Sequence, residues 1–281
     1  MQTQLGTRPS PIAGRWYPDD PQELAESVDF YIKQAQLPEI PGEIIAIIVP
    51  HAGHRYSGPV AGYGFAAVRD LKPEVVAVVS PMHYPYTDAF LTSAHSAYST
   101  PLGEIPIDHK ALDDLDARLK HAQTEPILRV GRDPEHSLEI ELPFLQRALS
   151  AEFTLLPLMV RELDPLPLKN LGLSLARGLQ KRSALLVAST DLSHFYPQAA
   201  AESLDREMLR RIAAFDPLAV LHAEEEGQGF ACGRGAVAVV LWAAQELGAN
   251  HVQILQYATS GDVTGDFHQV VGYGAAVITR Q

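Results

Sequence analysis

Three loops of the sequence each carry a histidine shortly after an apolar run of the kind found in buried strands. His51 follows the run IIAIIV, His83 follows VVAVV, and His194 follows ALLVAS. Imidazole nitrogens bind zinc, iron and copper ions, and they exchange protons near neutral pH. One histidine in such a loop is more often a hydrogen-bonded structural residue, but three at equivalent positions are hard to explain by packing alone. We therefore predict that they line one polar cleft.

Cys232 is the single cysteine among the 281 residues, so an intrachain disulfide is impossible. It lies in the glycine-rich turn GQGFACGRG ahead of an apolar helical pattern. A helix N-terminus lowers the pKa of a thiol and favours the thiolate, which binds metals. His51, His83 and Cys232 would supply two nitrogens and one sulfur to zinc, iron or copper, with a position open for water or substrate. In the alternative interpretation, Cys232 is a small residue in a tight turn.

Four further polar residues are candidates for acid–base chemistry in the same cleft. Asp191 and His194 belong to the loop TDLSH after the third apolar run, where they would orient the metal ligands or transfer protons. His136 and Glu139 lie three residues apart, which places them on one helix face if the helix begins early enough. The alternative is a capped helix start, with Ser137 as the N-cap and acidic residues in the first turn.

The chain lacks the sequence signatures of several other kinds of site. It has no CxxC, HExxH or EF-hand pattern, no GxSxG nucleophile elbow and no P-loop. Gly62 and Gly64 fall within a helical pattern, so this pair indicates close helix packing rather than a phosphate-binding loop. The candidate site therefore depends on the strand-end residues.

The order of apolar runs and helical patterns predicts the fold. Continuous runs rich in Ile and Val are typical of strands buried on both faces. Predicted strands span 44–49, 75–79, 153–160, 184–189 and 270–278, with weaker ones at 89–94 and 251–260. Predicted helices span 23–34, 59–70, 108–119, 138–150, 165–180, 202–214, 216–226 and 235–247. The alternation indicates one α/β domain over residues 1–281, with a mostly parallel central sheet covered by helices.

The two ends of this pattern differ from its middle. Four prolines before the first helix predict an extended arm that leads into a covering helix. The final strand is expected to be antiparallel or to lie at an edge. In sheets of this class, ligands bind beyond the carboxyl ends of the strands, where the candidate histidines lie.

Composition excludes some classes of partner. The formal net charge is -12, which argues against nucleic acid and against anionic membrane surfaces, because both are bound through Lys and Arg. No apolar run approaches the roughly 20 residues that cross a bilayer. The first residues lack a basic segment followed by an apolar one, so we expect a cytoplasmic protein without a signal peptide.

Five ordered motifs together resemble the Memo family, whose prokaryotic members are called AmmeMemoRadiSam system protein B. The resemblance runs from about Trp16 to the C-terminus and includes TSGD at 259–262. The motifs are GRWYP at 14–18, PHAG through SG at 50–58, EHSLE with LPF at 135–144, STDLSH at 189–194 and ACGR at 231–234.

This resemblance implies a fold similar to class III extradiol dioxygenases, which are non-haem iron enzymes that open catechol rings. It implies a metal cleft at positions matching His51, His83 and Cys232, and it places Asp191, His194, Trp16, Tyr84 and Arg234 in or beside that cleft. In dioxygenases of that fold the third ligand is a carboxylate, whereas the matching residue here is Cys232. Some relatives carry a second histidine where this chain has Tyr84. The resemblance also implies a radical-SAM protein and a third protein as partners.

Three functions are compatible with these residues. The first is a redox or oxygenase-like protein that uses iron or copper. The second is an adaptor that binds a metal, a small molecule or a peptide in a vestigial cleft without turnover. The third is metal-assisted hydrolysis, in which Asp191 or Glu139 is the base for a metal-bound water. Bound zinc would favour this function. The metal content of the purified protein discriminates among them.

Overall fold

Residues 5–281 are described in the computed structural model of the chain, and they fold around a nine-stranded mixed sheet. The strands are β1 (Glu43–Val49), β2 (Val75–Pro81), β3 (Phe90–Ser93), β4 (Ala97–Thr100), β5 (Gly103–Pro106), β6 (Leu128–Val130), β7 (Thr154–Val160), β8 (Ala184–Ser189), β9 (His194–Tyr196), β10 (His251–Thr259) and β11 (Val270–Arg280). The sheet order is β10-β11-β1-β8-β2-β7-β3-β6, β9 pairs with β11, and β4 with β5 forms a separate hairpin.

Helices cover the sheet and leave its central strands buried on both faces. They are α1 (Pro21–Gln34), α2 (His54–Ala67), α3 (His109–His121), α4 (Leu142–Ala148), α5 (Pro165–Leu179), α6 (Gln198–Ala213), α7 (Pro217–His222), α8 (Arg234–Glu246) and α9 (Gly261–Thr264), with a short 3-10 turn at Glu139–Glu141. In one group α1, α2 and α4 pack together, and in another α3, α5, α7 and α8 do so. The sheet and the two groups of helices share one principal hydrophobic core.

The loops that follow three central strands lie at the same edge of the sheet. β1, β8 and β2 are neighbours and run parallel, with Val49 opposite Ser189 and Val79 opposite Ala188. Because their carboxyl ends coincide, the loops that follow them must meet. The structure thus confirms the predicted α/β fold with a mostly parallel sheet. The final strand, β11, is antiparallel to β1 as expected, but it lies inside the sheet because β10 covers its outer side.

Helix α2 lies against the end of β1 at a position that only glycine allows. A Cβ atom on Gly64 would lie 2.4 Å from Cγ1 of Val49, so a side chain there would push the helix off the strand. The predicted packing role of the 62–64 pair is therefore confirmed. The sequence pattern placed the start of this helix at Pro59, but the helix begins at His54 and contains Pro59 in its interior.

Several elements differ from the predicted boundaries. The predicted helix over 138–150 is split into the 3-10 turn and the short α4. The strands β4, β5, β6 and β9 are short and were not predicted, because three or four residues carry too little periodicity. The N-terminal arm pairs with the segment before and within β4, through Leu5 beside His95 and Arg8 beside Tyr98. No helix in residues 5–281 is long and apolar enough to span a membrane.

Candidate metal centre

His51 is fixed at the end of β1 by the neighbouring strand β8. Its backbone N–H donates to Oδ1 of Asp191 at 2.8 Å, and its Nδ1 lies 2.9 Å from Oγ of Ser189. The residue is 2% exposed. Burial lowers the pKa of His51 well below its usual range, and nearby His136 and His83 lower it further. His51 is therefore neutral at pH 7, and its Nε2 is the nitrogen left for a ligand.

His83 and His136 share one carboxylate. Oε1 of Glu135 lies 2.9 Å from Nδ1 of His83 and 3.2 Å from Nδ1 of His136, and Oε2 accepts the backbone N–H of His83 at 2.6 Å. Burial alone would raise the pKa of Glu135, but its bonds with His83 and the nearby His136 lower that pKa to about 2. The two imidazole rings stack with centroids 4.9 Å apart. The His83 ring is thus held through Nδ1, which leaves its Nε2 for a metal, whereas His136 is held through its backbone N–H, which donates to Oε1 at 2.9 Å.

The three rings form a group that can hold a metal ion. One ligand nitrogen from each of His51, His83 and His136 lies within 4.8 Å of the other two. The ring centroid of His51 is 5.3 Å from that of His83 and 5.5 Å from that of His136. The sequence predicted His136 as an acid–base residue, whereas the structure places it among the potential ligands. Burial also lowers the pKa of His136 to about 4, so it is available as a neutral ligand.

Cys232, the third predicted ligand, touches one member of this group. Its Sγ lies 3.1 Å from Nε2 of His51 and accepts the backbone N–H of Asp191 at 3.3 Å. The predicted effect of the helix N-terminus on the thiol is wrong in direction. Burial raises the pKa of Cys232, and the Asp191 carboxyl adds to the rise. The residue is therefore a thiol at neutral pH in the metal-free protein.

A close backbone contact carries the Cys232 turn to the end of β8. The N–H of Gly233 donates to Oγ1 of Thr190 at 2.9 Å, and a Cβ atom on Gly233 would lie 2.4 Å from the carbonyl oxygen of Ser189. Only glycine permits this approach. The turn therefore meets β8 because of the residue that follows Cys232, and α8 begins directly after it.

Asp191 and His194 follow β8 at the carboxyl edge of the sheet, and Asp191 contacts the backbone of His51. Oδ1 of Asp191 accepts the backbone N–H groups of His51 at 2.8 Å and Ala52 at 3.3 Å. Burial raises the pKa of Asp191 to about 7, although these two N–H groups favour the carboxylate. His194 is half-buried with its ring 5.4 Å from that of Phe230, and burial together with His83 lowers its pKa. Asp191 can therefore exchange a proton near neutral pH.

Glu139 is not in the cleft. Its carboxylate accepts the hydroxyl of Tyr17 at 2.7 Å and binds Arg8 and Ser10. It does not share a helix face with His136, because the helical turn begins only at Glu139. The predicted role of Glu139 as a catalytic base is therefore corrected, and the residue instead anchors the N-terminal arm. Ser137, the alternative N-cap, donates its hydroxyl to the carbonyl oxygen of Pro81 at 2.7 Å.

Comparison with known proteins assigns the family. The family model for Memo-like proteins matches residues 8–277. The MEMO1 family protein of Nitrosopumilus maritimus is 33% identical over 269 residues, which cover 94% of this chain and 96% of that protein. The MEMO1 family protein of Methanopyrus kandleri is 32% identical over 279 residues, covering 96% and 98% respectively. The chain belongs to the Memo family.

A solved structure supports the fold of this Memo-family chain. The crystal structure of an uncharacterised protein of Escherichia coli K12 matches with a TM-score of 0.55 and 15% identity, and covers 84% of this chain and 100% of that one. At this identity the likeness concerns the fold alone.

The remaining residues named from the Memo-family motifs surround the cleft in different ways. The Trp16 ring lies 4.1 Å from that of His136, so it shields one side of the histidine group. Tyr84, at the position of a second histidine in some relatives, is 42% exposed. Arg234 pairs with Glu224 at the start of α8 and lines a cavity of about 140 Å³ that His83 and Cys232 also line.

Two residues that position the Memo-family cleft were not predicted from the sequence. Glu135 holds two histidines, and Ser189 contacts a third. Glu135 lies directly before His136 in a polar segment, which is a weak signal for a carboxylate–imidazole pair. Ser189 ends a buried strand and carries no signal of its own, because its partners come from two other segments.

Proposed function

We propose that this Memo-family protein binds one redox-capable metal ion, iron or copper, in the cleft, with His51, His83 and Cys232 as ligands and His136 as a further nitrogen donor. One observation carries the proposal. The ligand nitrogens of three histidines lie within 4.8 Å of one another, and the single thiol of the chain lies 3.1 Å from one of these histidines.

The donor set fits such an ion. Burial keeps His51 and His136 neutral at pH 7, so neither must lose a proton before it binds. The Nδ1 atoms of His51 and His83 are held by Ser189 and Glu135, which directs Nε2 of each as ligand. Imidazole with thiolate suits copper, iron and zinc better than hard ions such as magnesium. The similarity in fold to ring-opening dioxygenases, which the family resemblance implies, favours a redox metal over zinc.

The residues around the donor set would supply proton transfer and shielding. A bound iron or copper ion would supply electron transfer to a small molecule in the cleft. Asp191, with a pKa of about 7, holds or releases a proton beside the backbone of His51. Trp16 packs on His136 and limits the access of water there.

A second candidate function is binding without turnover, as an adaptor for a peptide or protein. Exposed aromatic side chains flank two of the histidines, since Phe195 follows His194 and is 68% exposed and Tyr84 follows His83. Such rings offer apolar contact area at the mouth of a cleft. A radical-SAM protein and a third companion protein, implied by the family, are the proposed partners for this surface.

Metal analysis of anaerobically purified protein tests the proposal. We expect about one iron or copper ion per chain in the wild type and in His121→Gln, an exposed histidine that serves as control. His51→Gln and Cys232→Ser should lose most of the ion. Zinc alone, with a metal-bound water, would favour hydrolysis instead. Intact folding without any bound metal, together with retained partner binding, would favour the adaptor and contradict a metal-dependent function.

A further inference from the structure

The hydroxyl of Ser189 has three polar neighbours at hydrogen-bond distance. Its Oγ lies 2.6 Å from the carbonyl oxygen of Ser137, 2.7 Å from Oε1 of Glu141 and 2.9 Å from Nδ1 of His51. All four residues are buried. One hydroxyl has a single proton and two lone pairs, so the protons of the group can be assigned by counting.

The carbonyl oxygen of Ser137 determines where the protons lie, because it can only accept a hydrogen bond. At 2.6 Å it requires the Ser189 proton to lie between the two oxygens. Both lone pairs of Ser189 must then accept, one from His51 and one from Glu141. His51 donates through Nδ1–H, and Glu141 has a proton to donate only as a carboxylic acid.

The other assignments leave two acceptors in contact. If Ser189 donated to an ionised Glu141, its oxygen would face the Ser137 carbonyl at 2.6 Å without a proton between them. If Ser189 donated to Ser137 while Glu141 stayed ionised, the same conflict would arise at 2.7 Å with Glu141. Two buried acceptors in contact without a proton between them repel each other, and more strongly when one of them is charged.

We propose that Glu141 is a neutral carboxylic acid that donates its proton to Ser189, and so holds that hydroxyl as the acceptor for Nδ1–H of His51. Glu141 is then a positioning residue that acts on the cleft through Ser189. This assignment keeps Nε2 of His51 without a proton of its own and facing Cys232. Its meaning for metal binding rests on the proposed function, whereas the protonation of Glu141 does not.

The surroundings of Glu141 support a neutral acid. The residue is 1% exposed, and burial raises its pKa well above the usual range, with nearby Asp191 adding to the rise. Glu139, two residues earlier in the same turn, is equally buried but binds the Arg8 guanidinium. Within residues 5–281, Glu141 forms no ion pair of this kind. The same turn therefore holds one glutamate paired with a cation and one without.

The arrangement makes the histidine group asymmetric. His83 and His136 are backed by the ionised Glu135, whereas His51 is backed by a neutral pair. A negative charge behind an imidazole strengthens it as a ligand. Substituting Glu135 should therefore change the charge of the site, and substituting Glu141 by glutamine should not.

Infrared spectroscopy of the metal-free protein tests this directly. Carbon-13 labelling of glutamate shifts the C=O band of a protonated glutamic acid, which separates it from aspartic acids. We expect one such band at pH 8, lost in Glu141→Gln and kept in the control Glu152→Gln, which alters an exposed residue. If Glu141→Gln fails to fold, the labelled wild type still decides. No protonated glutamate band at pH 8, or a band that persists in folded Glu141→Gln, would overturn the proposal.

Metal affinity gives a second, separate readout. With zinc or copper(I) as the probe, Glu141→Gln should bind within about twofold of the wild type, because the amide also donates to Ser189 and the charge is unchanged. A tenfold or larger loss in folded Glu141→Gln would indicate that a charge was removed, and would overturn the neutral acid. Because the infrared band is measured without metal, it can be present even if the wild type binds no ion. The two proposals therefore fail independently.

Discussion

Nε2 of His51 and Sγ of Cys232 lie 3.1 Å apart, within hydrogen-bond distance of each other. In the proton assignment proposed for Ser189, Nδ1 of His51 carries the imidazole proton, so Nε2 accepts the proton of the thiol. Ligands at about 2.0 and 2.3 Å on a tetrahedral ion are roughly 3.5 Å apart. If Nε2 and Sγ moved apart by a few tenths of an ångström, a metal ion could take the place of the proton between them.

This relationship predicts a pH dependence of metal binding. Burial raises the pKa of Cys232, so near neutral pH the residue is a thiol that must lose its proton to bind as thiolate. Zinc or copper(I) affinity should therefore rise by about tenfold per pH unit between pH 6 and 8. Competition titrations with a chelator at several pH values, under reducing and anaerobic conditions, measure this slope.

Two substitutions distinguish the contribution of the thiol to metal binding from that of the histidines. Cys232→Ser should bind more weakly and lose the slope, whereas His83→Gln should bind more weakly and keep it. We expect the loss of affinity in Cys232→Ser to exceed that in His83→Gln, since thiolate supplies both charge and a soft donor. Binding in Cys232→Ser that equals the wild type would rule out a thiolate ligand.

Glu135→Gln tests the carboxylate that holds two histidines. Its pKa of about 2 means that Glu135 is charged at all working pH values, so the substitution removes a charge and one hydrogen-bond acceptor beside His83 and His136. Loss of such a carboxylate costs about 10–100-fold in metal affinity. Isothermal titration with the exposed control Glu152→Gln measures the difference. Equal affinities for the two variants would show that Glu135 acts only in folding.

The position of the cleft was predictable, because it depends on local patterns. Apolar runs identified β1, β2 and β8, and the parallel arrangement puts their carboxyl ends at one edge. His51, His83 and His194 follow these strands, so their place at one edge was predictable, whereas their proximity also requires the adjacent order β1-β8-β2.

The remaining features of the site depend on distant segments. His136 reaches the cleft through a loop after β6, at the far edge of the sheet, and no local pattern indicates that path. The pKa of Cys232 depends on burial, which outweighs the effect of the helix N-terminus. Glu139 was misassigned because the helix begins later than its sequence pattern indicated, and because its partner Arg8 is far away in the chain.

Arg8 should be essential for stability. Its guanidinium is 1% exposed, binds Asp133 at 2.8 Å and also binds Glu139. Arg8→Met leaves two carboxylates buried without their cation, which costs about 3–5 kcal/mol in the free energy of unfolding. Urea unfolding at pH 7 measures the change. Arg15→Met, at an exposed position of the same arm, should change stability by less than about 0.5 kcal/mol, and a similar loss in both variants would contradict the role of the buried network.

His54 should make the protein sensitive to acid. The residue is 3% exposed, Nε2 donates to the carbonyl oxygen of Ile140 at 3.0 Å, and burial lowers its pKa to about 4. Between pH 4 and 6.5 the folded state keeps His54 neutral while the unfolded chain protonates it. Unfolding therefore takes up a proton, and the stability that depends on a neutral His54 is lost as the pH falls from 6.5 towards 4.

His54→Gln removes this titration and keeps an N–H for the Ile140 carbonyl. Altered packing also changes the free energy of unfolding of the variant at pH 7.5, so the informative quantity is how its difference in stability from the wild type changes with pH. That difference should shift by about 2 kcal/mol in favour of the variant between pH 7.5 and pH 5, since all other titrating groups are common to both proteins. Denaturant unfolding of both proteins at the two pH values measures it, with His121→Gln as an exposed control. A difference that stays constant over this range would show that folding does not lower the pKa of His54.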